Sequence, residues 1–180
     1  HTIFGEIVSG YEVVQKIEEQ KLSIIKRSGK KEHFSEEKVK ATLANFTKGY
    51  EKSVDVDAIV NQLKLEVYEN ITTREITKAL IMVVRSMIEL DPAYSKVAAR
   101  VLLDKLYQEV FGSEFNYKDL MAEHAKAFSK NIKHAVGKGL LDPRMAEFDL
   151  DLLAQKFIPK NDELFEYMGL EILSSRYFME

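Results

Sequence analysis

Positively charged side chains are concentrated in the segment IIKRSGKKEHF, from Ile24 to Phe34, although the 180-residue chain carries a formal net charge of -3. Lys26 and Arg27 follow two β-branched residues, and Lys38 comes shortly after the segment. Lys and Arg side chains pair with phosphate groups, and the free N–H groups at a helix N-terminus also attract anions. A lysine in the first turn of a helix opposes the helix dipole unless an anion is bound nearby. These three cations therefore indicate a local anion site suited to polyphosphate.

The same charges admit a simpler interpretation, in which Lys26, Arg27, Lys30 and Lys31 form the solvated tip of a hairpin, because charged side chains are mostly exposed. Side chains alternate between the two faces of a strand, so Lys26 and Arg27 are predicted to point to opposite faces of the first strand. One of them would then face inward or over a groove. We keep the solvated interpretation for Lys30 and Lys31. The chain has neither of the glycine-rich phosphate motifs, G-x-x-x-x-G-K-[ST] and G-x-G-x-x-G.

The elements that must position these cations are a hairpin and the helix that follows it. Ile24–Ile25 and Phe34 are predicted in two short strands that flank a turn at Ser28–Gly29. Ser35 is a candidate N-cap of the next helix, which places Lys38 in the first turn. Further helix starts are predicted at Asp55, at Thr72 with Glu75, at Asp91 before Pro92, and at Asp142 before Pro143.

The apolar periodicity after Ser35 is helical to the end of the chain. The later helices are predicted over Tyr117–His134, Leu150–Phe157 and Asp162–Phe178. Together with a strand and a short helix in the first twenty residues, this pattern predicts a mainly α fold of the α+β class, with one small β element and about eight helices.

The composition narrows the possible functions. The chain is 46% hydrophobic and 31% charged, which is enough apolar material for a sizeable core. Its slightly acidic balance argues against general nucleic-acid or membrane-surface binding. It has no cysteine, so disulfides and thiolate chemistry are excluded, and its four histidines have no metal-ligand spacing. The apolar run ALIMVV is too short to span a bilayer, and we expect a cytoplasmic protein.

The order of the motifs resembles a known family. The stretch IIKRSGKKEHFSEEKVKATL, followed by YENITTREI and DPAYSKVAARVLL, resembles the ATP-cone, a small regulatory nucleotide-binding domain. The later segment GLLDPRMAEFDLDLLAQKFIPKNDELFEYMGLEILSSRYF looks like the helical region after the ATP-cone in the large subunit of class I ribonucleotide reductase.

The resemblance implies a small β-hairpin or sheet that caps a four-helix ATP-cone over residues 21–112, followed by further packed helices over residues 113–180. It implies an allosteric switch in which ATP permits activity and dATP suppresses it by changing how large subunits associate. Mg²⁺ would accompany the nucleotide, and a radical-generating small subunit would be a partner in the full protein. The catalytic barrel would lie beyond Glu180, so we expect this chain alone to be inactive as a reductase.

The resemblance also implies roles for individual residues. Lys26, Arg27 and Lys38 would contact phosphates, and Glu32 would line the site from the second strand. Ile24 and Val39 would flank the base as apolar walls, and Thr73 would help fix the base or the sugar, with Ile76 behind it. A simpler role remains open for the last four residues: capping for Thr73 and its neighbour Thr72, and plain core packing for Ile24, Val39 and Ile76.

The chain departs from the family pattern at two points. Some members carry a basic residue late in the helix that contains AAR, where this chain has Tyr107 and Gln108, and Lys105 is predicted to face elsewhere. Thr77 stands where a histidine or a similar polar residue is usual. These departures leave open an alternative function, a helical protein–protein interaction domain with a degenerate, non-binding ATP-cone.

Residues 1–20 resemble a different family. The stretch HTIFGEIVSGYEVVQKIE is similar to the last strand and C-terminal helix of a cyclophilin-type prolyl isomerase. One strand and one helix of an eight-stranded barrel carry no complete isomerase pocket, so residues 1–20 are interpreted as a remnant or the end of an upstream module.

Overall fold

A computed structural model describes residues 22–112 and 117–177. The chain divides into two compact units. The first unit comprises the residues up to Asn45 together with Asp55–Val83, and the second comprises Phe46–Val54 together with the residues from Val84 onward. The predicted strand and helix in residues 1–20 lie outside the described residues.

The first unit contains the small sheet and its flanking helices. Its elements are β1 (Ser23–Ile25), β2 (Lys31–His33), α1 (Glu36–Phe46), α2 (Val56–Glu66), β3 (Ile71–Thr72) and α3 (Thr73–Ser86), and α1 and α3 each end in residues of the second unit. The strand order is β2-β1-β3, in which β1 pairs antiparallel with β2 and parallel with β3. Ile24 is opposite Glu32 on one side and Ile71 on the other.

A tight turn joins β1 to β2. The Lys26 N–H donates to the Lys30 carbonyl at 2.9 Å, and the Gly29 N–H donates to the Lys26 carbonyl at 2.9 Å. Gly29 has a φ of 78°, a conformation that glycine adopts without steric cost. The predicted turn at Ser28–Gly29 is confirmed. The prediction that Lys26 and Arg27 alternate along the first strand is wrong, because β1 ends at Ile25 and both residues lie in the turn.

Side-chain caps fix where the helices of the first unit begin. Ser35 Oγ accepts from the Lys38 N–H at 3.3 Å, and Asp55 Oδ1 accepts from the Ala58 N–H at 3.0 Å. The predicted N-caps of α1 and α2 are therefore confirmed. The fully buried side chains of the unit include Leu43 of α1, three residues of α2 and Ile71 of β3; the three residues of α2 are Ile59, Val60 and Leu63.

The regular elements in the described part of the second unit are all helices. Its elements are α4 (Ala93–Phe111), α5 (Leu120–Gly137), α6 (Leu150–Ala154) and α7 (Tyr167–Arg176), with short 3-10 helices at Tyr117–Asp119, Pro143–Ala146 and Pro159–Leu164. α4 packs against α7, and α5 packs against α6. A cavity of about 290 Å³ lies between α4, α5 and α7, and its lining is mainly apolar.

Several helix boundaries in the second unit differ from the sequence prediction; the helix predicted over Leu150–Phe157, for example, ends at Ala154. The helix predicted over Asp162–Phe178 is two elements, because Phe165 (ψ 144°) and Glu166 (φ -96°, ψ 164°) are extended. The helix predicted to start at Pro92 begins at Ala93, whose N–H donates to Asp91 Oδ1 at 2.7 Å. The predicted fold class, mainly helical with a small sheet, is confirmed. Within the described residues, no helix is both long and apolar enough to cross a membrane.

Candidate functional site

Three charged side chains, those of Lys26, Glu32 and Lys38, lie together beside the β1–β2 turn. The Glu32 carboxylate forms ion pairs with both Lys26 and Lys38, using one oxygen for each ammonium group. Glu32 is 28% exposed, whereas Lys26 and Lys38 are 48% and 68% exposed. Solvent therefore reaches both ammonium groups, and the carboxylate that joins them is the least exposed of the three.

Each of these side chains is held by a different element. Lys26 begins the hydrogen-bonded turn, Glu32 is the central residue of β2, and Lys38 lies in the first turn of α1 with its N–H bonded to Ser35. The turn and the cap bring together residues that are up to twelve positions apart in the sequence. Arg27 is exposed in the turn directly after Lys26.

The start of α3 lies against the end of β1. Thr73 Oγ1 donates to the Ile25 carbonyl at 3.3 Å, and Ile25 directly precedes Lys26. Thr77 Oγ1 donates in turn to the Thr73 carbonyl at 3.0 Å. The strand β3 makes this contact possible, because its parallel pairing places Thr72 opposite Ile25. The strand β3 is absent from the elements predicted above; its only local signal is the β-branched run Ile71–Thr73.

The capping box at the start of α3 is formed as predicted. Thr72 N–H donates to Glu75 Oε2 at 2.8 Å, and Glu75 N–H donates to Thr72 Oγ1 at 3.2 Å. The hydrogen bonds from the Thr72 side chain and backbone are the main reason that the pKa of Glu75 is lowered. Thr72 is therefore engaged in capping, while the hydroxyl of Thr73 bonds to β1.

The apolar residues proposed for the site are all partly exposed. Ile24 lies in β1, Val39 in α1 and Ile76 in α3, and each has intermediate burial. None of the three is among the buried hydrophobic residues. Each of the three therefore keeps part of its surface in contact with solvent.

Electrostatically, the cluster is positive in an acidic chain. Lys26, Arg27 and Lys38 contribute three positive charges and Glu32 contributes one negative charge, which leaves a formal charge of +2. The whole chain has a net charge of -3. A local excess of positive charge of this kind favours an anion at the cluster. Across the described residues, no group of three or more His, Asp or Glu side chains is arranged to hold a metal ion.

The residues that depart from the family pattern have contacts of their own in the second unit. Tyr107 is buried and its hydroxyl donates to Asp162 Oδ2 at 2.7 Å. Gln108 Nε2 donates to Asp104 Oδ2 at 2.6 Å, and Lys105 pairs with Glu109 at 3.6 Å.

A protein-family model matches the part of the chain that contains this site. The family model of the ATP cone domain matches residues 22–109. Residues 22–109 form an ATP cone domain. The ATP cone contains the whole β1–β2 turn, the Lys26–Glu32–Lys38 cluster and the start of α3, so the family predicted from the motifs is confirmed.

The chain is also similar in sequence to longer proteins. The chain is 32% identical over 131 residues to the ribonucleoside-diphosphate reductase subunit alpha of Chlamydia pneumoniae. The aligned residues make up 73% of this chain and 12% of the relative. It is 30% identical over 162 residues to the same subunit of Chlamydia trachomatis (90% and 16%) and 30% identical over 166 residues to that of Helicobacter pylori strain 26695 (88% and 19%). The predicted relationship to reductase alpha subunits is therefore confirmed, although the chain spans less than a fifth of the length of these relatives.

Proposed function

We propose that this chain is the allosteric adenine-nucleotide-binding region of a ribonucleoside-diphosphate reductase subunit alpha. ATP cone domains bind ATP or dATP as allosteric effectors. The relatives that share most of this sequence are reductase alpha subunits. A regulatory role in deoxyribonucleotide synthesis follows from these two facts, while the catalytic step would belong to other parts of the full subunit.

The observation that carries the proposal is the convergence of Lys26 and Lys38 on a single anion, the Glu32 carboxylate, inside the ATP cone. Two ammonium groups that share one carboxylate are close enough together to share a polyphosphate. Lys and Arg form charge-assisted bonds with phosphate oxygens. In the proposed complex, Lys26, Arg27 and Lys38 contact the phosphates.

The nucleoside would lie on the partly exposed apolar residues. Ile24, Val39 and Ile76 would flank the base, and Thr73 would contact the base or the sugar at the point where α3 meets β1. These side chains come from β1, α1 and α3, the elements that surround the cation cluster. Glu32 would line the same site from β2.

Mg²⁺ would accompany the nucleotide. Mg²⁺ prefers oxygen ligands, keeps several of its waters and is commonly held by phosphate oxygens with one or two carboxylates. In this proposal the phosphate oxygens supply most of the ligands. Binding of ATP or dATP would change the association of alpha subunits with one another and with the small subunit of the reductase.

The protein–protein interaction alternative has less support. It requires a cone that has lost its ligand, yet the cations Lys26, Arg27 and Lys38 are all retained, and Lys26 and Lys38 meet at Glu32. Isothermal titration calorimetry of the whole chain with ATP and dATP separates the two functions. We expect saturable heat at protein concentrations near 0.1 mM, which suits micromolar dissociation constants, on the order of 8 kcal/mol of binding free energy. An absence of heat with both nucleotides contradicts the proposal.

A further inference from the structure

The cavity of the second unit combines an aromatic lining with a carboxylate. Six of its lining side chains are aromatic, namely Tyr107, Phe111, His124, Phe128, Phe157 and Phe165. Among the described residues, the lining holds one acid, Asp162, and neither lysine nor arginine. We infer that this cavity binds a small organic cation, an ammonium ion with an apolar or aromatic body, which lies against the rings and pairs with Asp162. The inference goes beyond the proposed function, because none of these residues belongs to the cation cluster.

The Asp162 carboxylate has acceptor capacity left for such a ligand. Its Oδ2 accepts from the Tyr107 hydroxyl at 2.7 Å, and the side chain is 34% exposed. A carboxylate has two oxygens and accepts more than one hydrogen bond. Within the described part of the chain, no lysine or arginine forms an ion pair with Asp162, and the exposed Lys156 lines only the adjoining cleft.

His124 does not supply the positive charge either. Its Nε2 lies 3.8 Å from Asp162 Oδ2, which is close enough for an ion pair if the ring were protonated. Burial lowers the pKa of His124, so the ring is uncharged at neutral pH. The negative charge at the cavity is therefore left for a cation from outside, and its attraction is stronger in these apolar surroundings than in water.

The aromatic rings add to this attraction. The ring centroid of His124 lies 5.5 Å from that of Tyr107 and 4.9 Å from that of Phe111, and the Phe128 and Phe157 centroids are 4.8 Å apart. The face of an aromatic ring attracts a cation within about 6 Å of the centroid. At about 290 Å³, the cavity exceeds the roughly 150 Å³ that holds a benzene molecule, so a one-ring body with a short ammonium arm fits it.

The test uses three probes that have similar bodies and different charges. These are 2-phenylethylamine, a cation at neutral pH, the neutral 2-phenylethanol and the anion phenylacetate. Each is titrated into the whole chain at neutral pH and followed by NMR. We expect the amine to bind with a dissociation constant of about 1 mM or lower, the alcohol to bind about fivefold more weakly, and phenylacetate to bind more weakly still.

The decisive variant is Asp162→Asn, which removes the charge and keeps an oxygen that can accept from Tyr107. Its matched control is Glu163→Gln, which removes the same charge from the next residue, an exposed acid outside the cavity lining. We expect D162N to weaken binding of the amine by about fivefold or more and binding of the alcohol by less than about twofold. E163Q should change both by less than about twofold. Retained binding of the alcohol also shows that the cavity of D162N is intact.

A second pair of variants tests the place of binding. Ala127 lines the cavity from α5, and Ala122 is exposed on the same helix. Ala127→Phe should abolish binding of the amine, because the added ring occupies the cavity, while Ala122→Phe should keep the wild-type affinity. The inference is overturned if the wild type does not bind the amine, if the amine and the alcohol bind equally well, or if D162N keeps the wild-type affinity for the amine. If circular dichroism shows that D162N is unfolded, the preference of the wild type for the amine over the alcohol decides.

Discussion

Lys38 lies in the first turn of α1, where the helix dipole disfavours a cation, and its ammonium group pairs with Glu32. Its backbone N–H is held by Ser35 at the same time. A single residue thus links the cap of a helix to a cluster of charges from the turn and β2. At this scale, the proposed nucleotide site is a set of cations, two of which, Lys26 and Lys38, have hydrogen-bonded backbones and pair with one acid.

His124 is a residue of α5 for which the structure predicts a pH effect. Its Nε2 is buried without a hydrogen-bond partner among the described residues and lies 3.8 Å from Asp162 Oδ2. The ring contacts Tyr107 and Phe111 edge-on, with centroids 5.5 and 4.9 Å apart. Burial lowers the pKa of His124, and the Asp162 charge opposes that shift only in part.

A lowered pKa in the folded state means that the unfolded chain binds the proton more readily. The contribution of His124 to stability is therefore present above pH 6.5, its ordinary pKa, and is lost as the pH falls below that value. We predict that His124→Phe reduces the loss of unfolding free energy between pH 7.5 and 5.5, measured by urea denaturation. His134→Gln, at an exposed histidine of the same helix, should keep the wild-type pH dependence. Equal pH dependence in H124F and the wild type would contradict this prediction.

At the scale of single elements, the capping box of α3 holds the junction between helix and sheet. Thr72 belongs to β3 and caps α3, and Thr73 bonds to the Ile25 carbonyl of β1. We predict that Thr72→Ala lowers the free energy of unfolding by about 1 kcal/mol, the usual effect of removing an N-terminal cap.

The control for this prediction is Thr42→Ala in α1. The Thr42 hydroxyl donates to the Lys38 carbonyl within the helix at 2.9 Å, and alanine has the higher helix propensity, so the control should be neutral or slightly stabilising. Both variants are measured by urea unfolding followed by circular dichroism. If T72A unfolds with the same free energy as T42A, the capping box does not stabilise this junction.

Elements that begin or turn at residues with strong local preferences were predictable from the sequence, and elements without such residues were not. Ser35, Asp55 and Thr72 are capping residues with strong preferences, and Gly29 marks its turn, so these features were predictable. The strand β3 has only two residues, which is too short for a periodic pattern. Its pairing with β1 defines it as a strand, and this pairing has no local sequence signal. The break at Phe165–Glu166 lies inside a sequence with helical periodicity and has no local signal of its own.

The same distinction applies to the site. Residue types and the first-turn position predicted Lys26 and Lys38 as anion-binding residues. The engagement of Glu32 with both lysines depends on side chains from three elements and has no local signal. The contacts of Ile24, Val39, Thr73 and Ile76 with a nucleotide stay predictions, as do the domain boundaries at residues 20 and 112 and the cyclophilin-like interpretation of residues 1–20.

At the scale of the whole molecule, the ATP cone accounts for residues 22–109, and the similarity to reductase alpha subunits covers up to 90% of the chain. The cation cluster has a formal charge of +2 in a chain whose net charge is -3. This distribution favours one local anion site over broad binding of polyanions. A nucleotide bound at this one site, as proposed, is consistent with both the charge and the relationship.

The assignment of phosphate binding to Lys26 and Lys38 is tested most directly by calorimetric titration of ATP into three proteins. These are the wild type, the Lys26→Ala plus Lys38→Ala variant, and Lys30→Ala. Lys30 is an exposed cation in the same turn, outside the ion pairs with Glu32, and serves as the matched control. We expect saturable binding by the wild type, a loss of affinity of about tenfold or more in the double variant, and a change of less than about twofold in K30A. Wild-type affinity for ATP in the double variant would contradict the assignment of the site to Lys26 and Lys38.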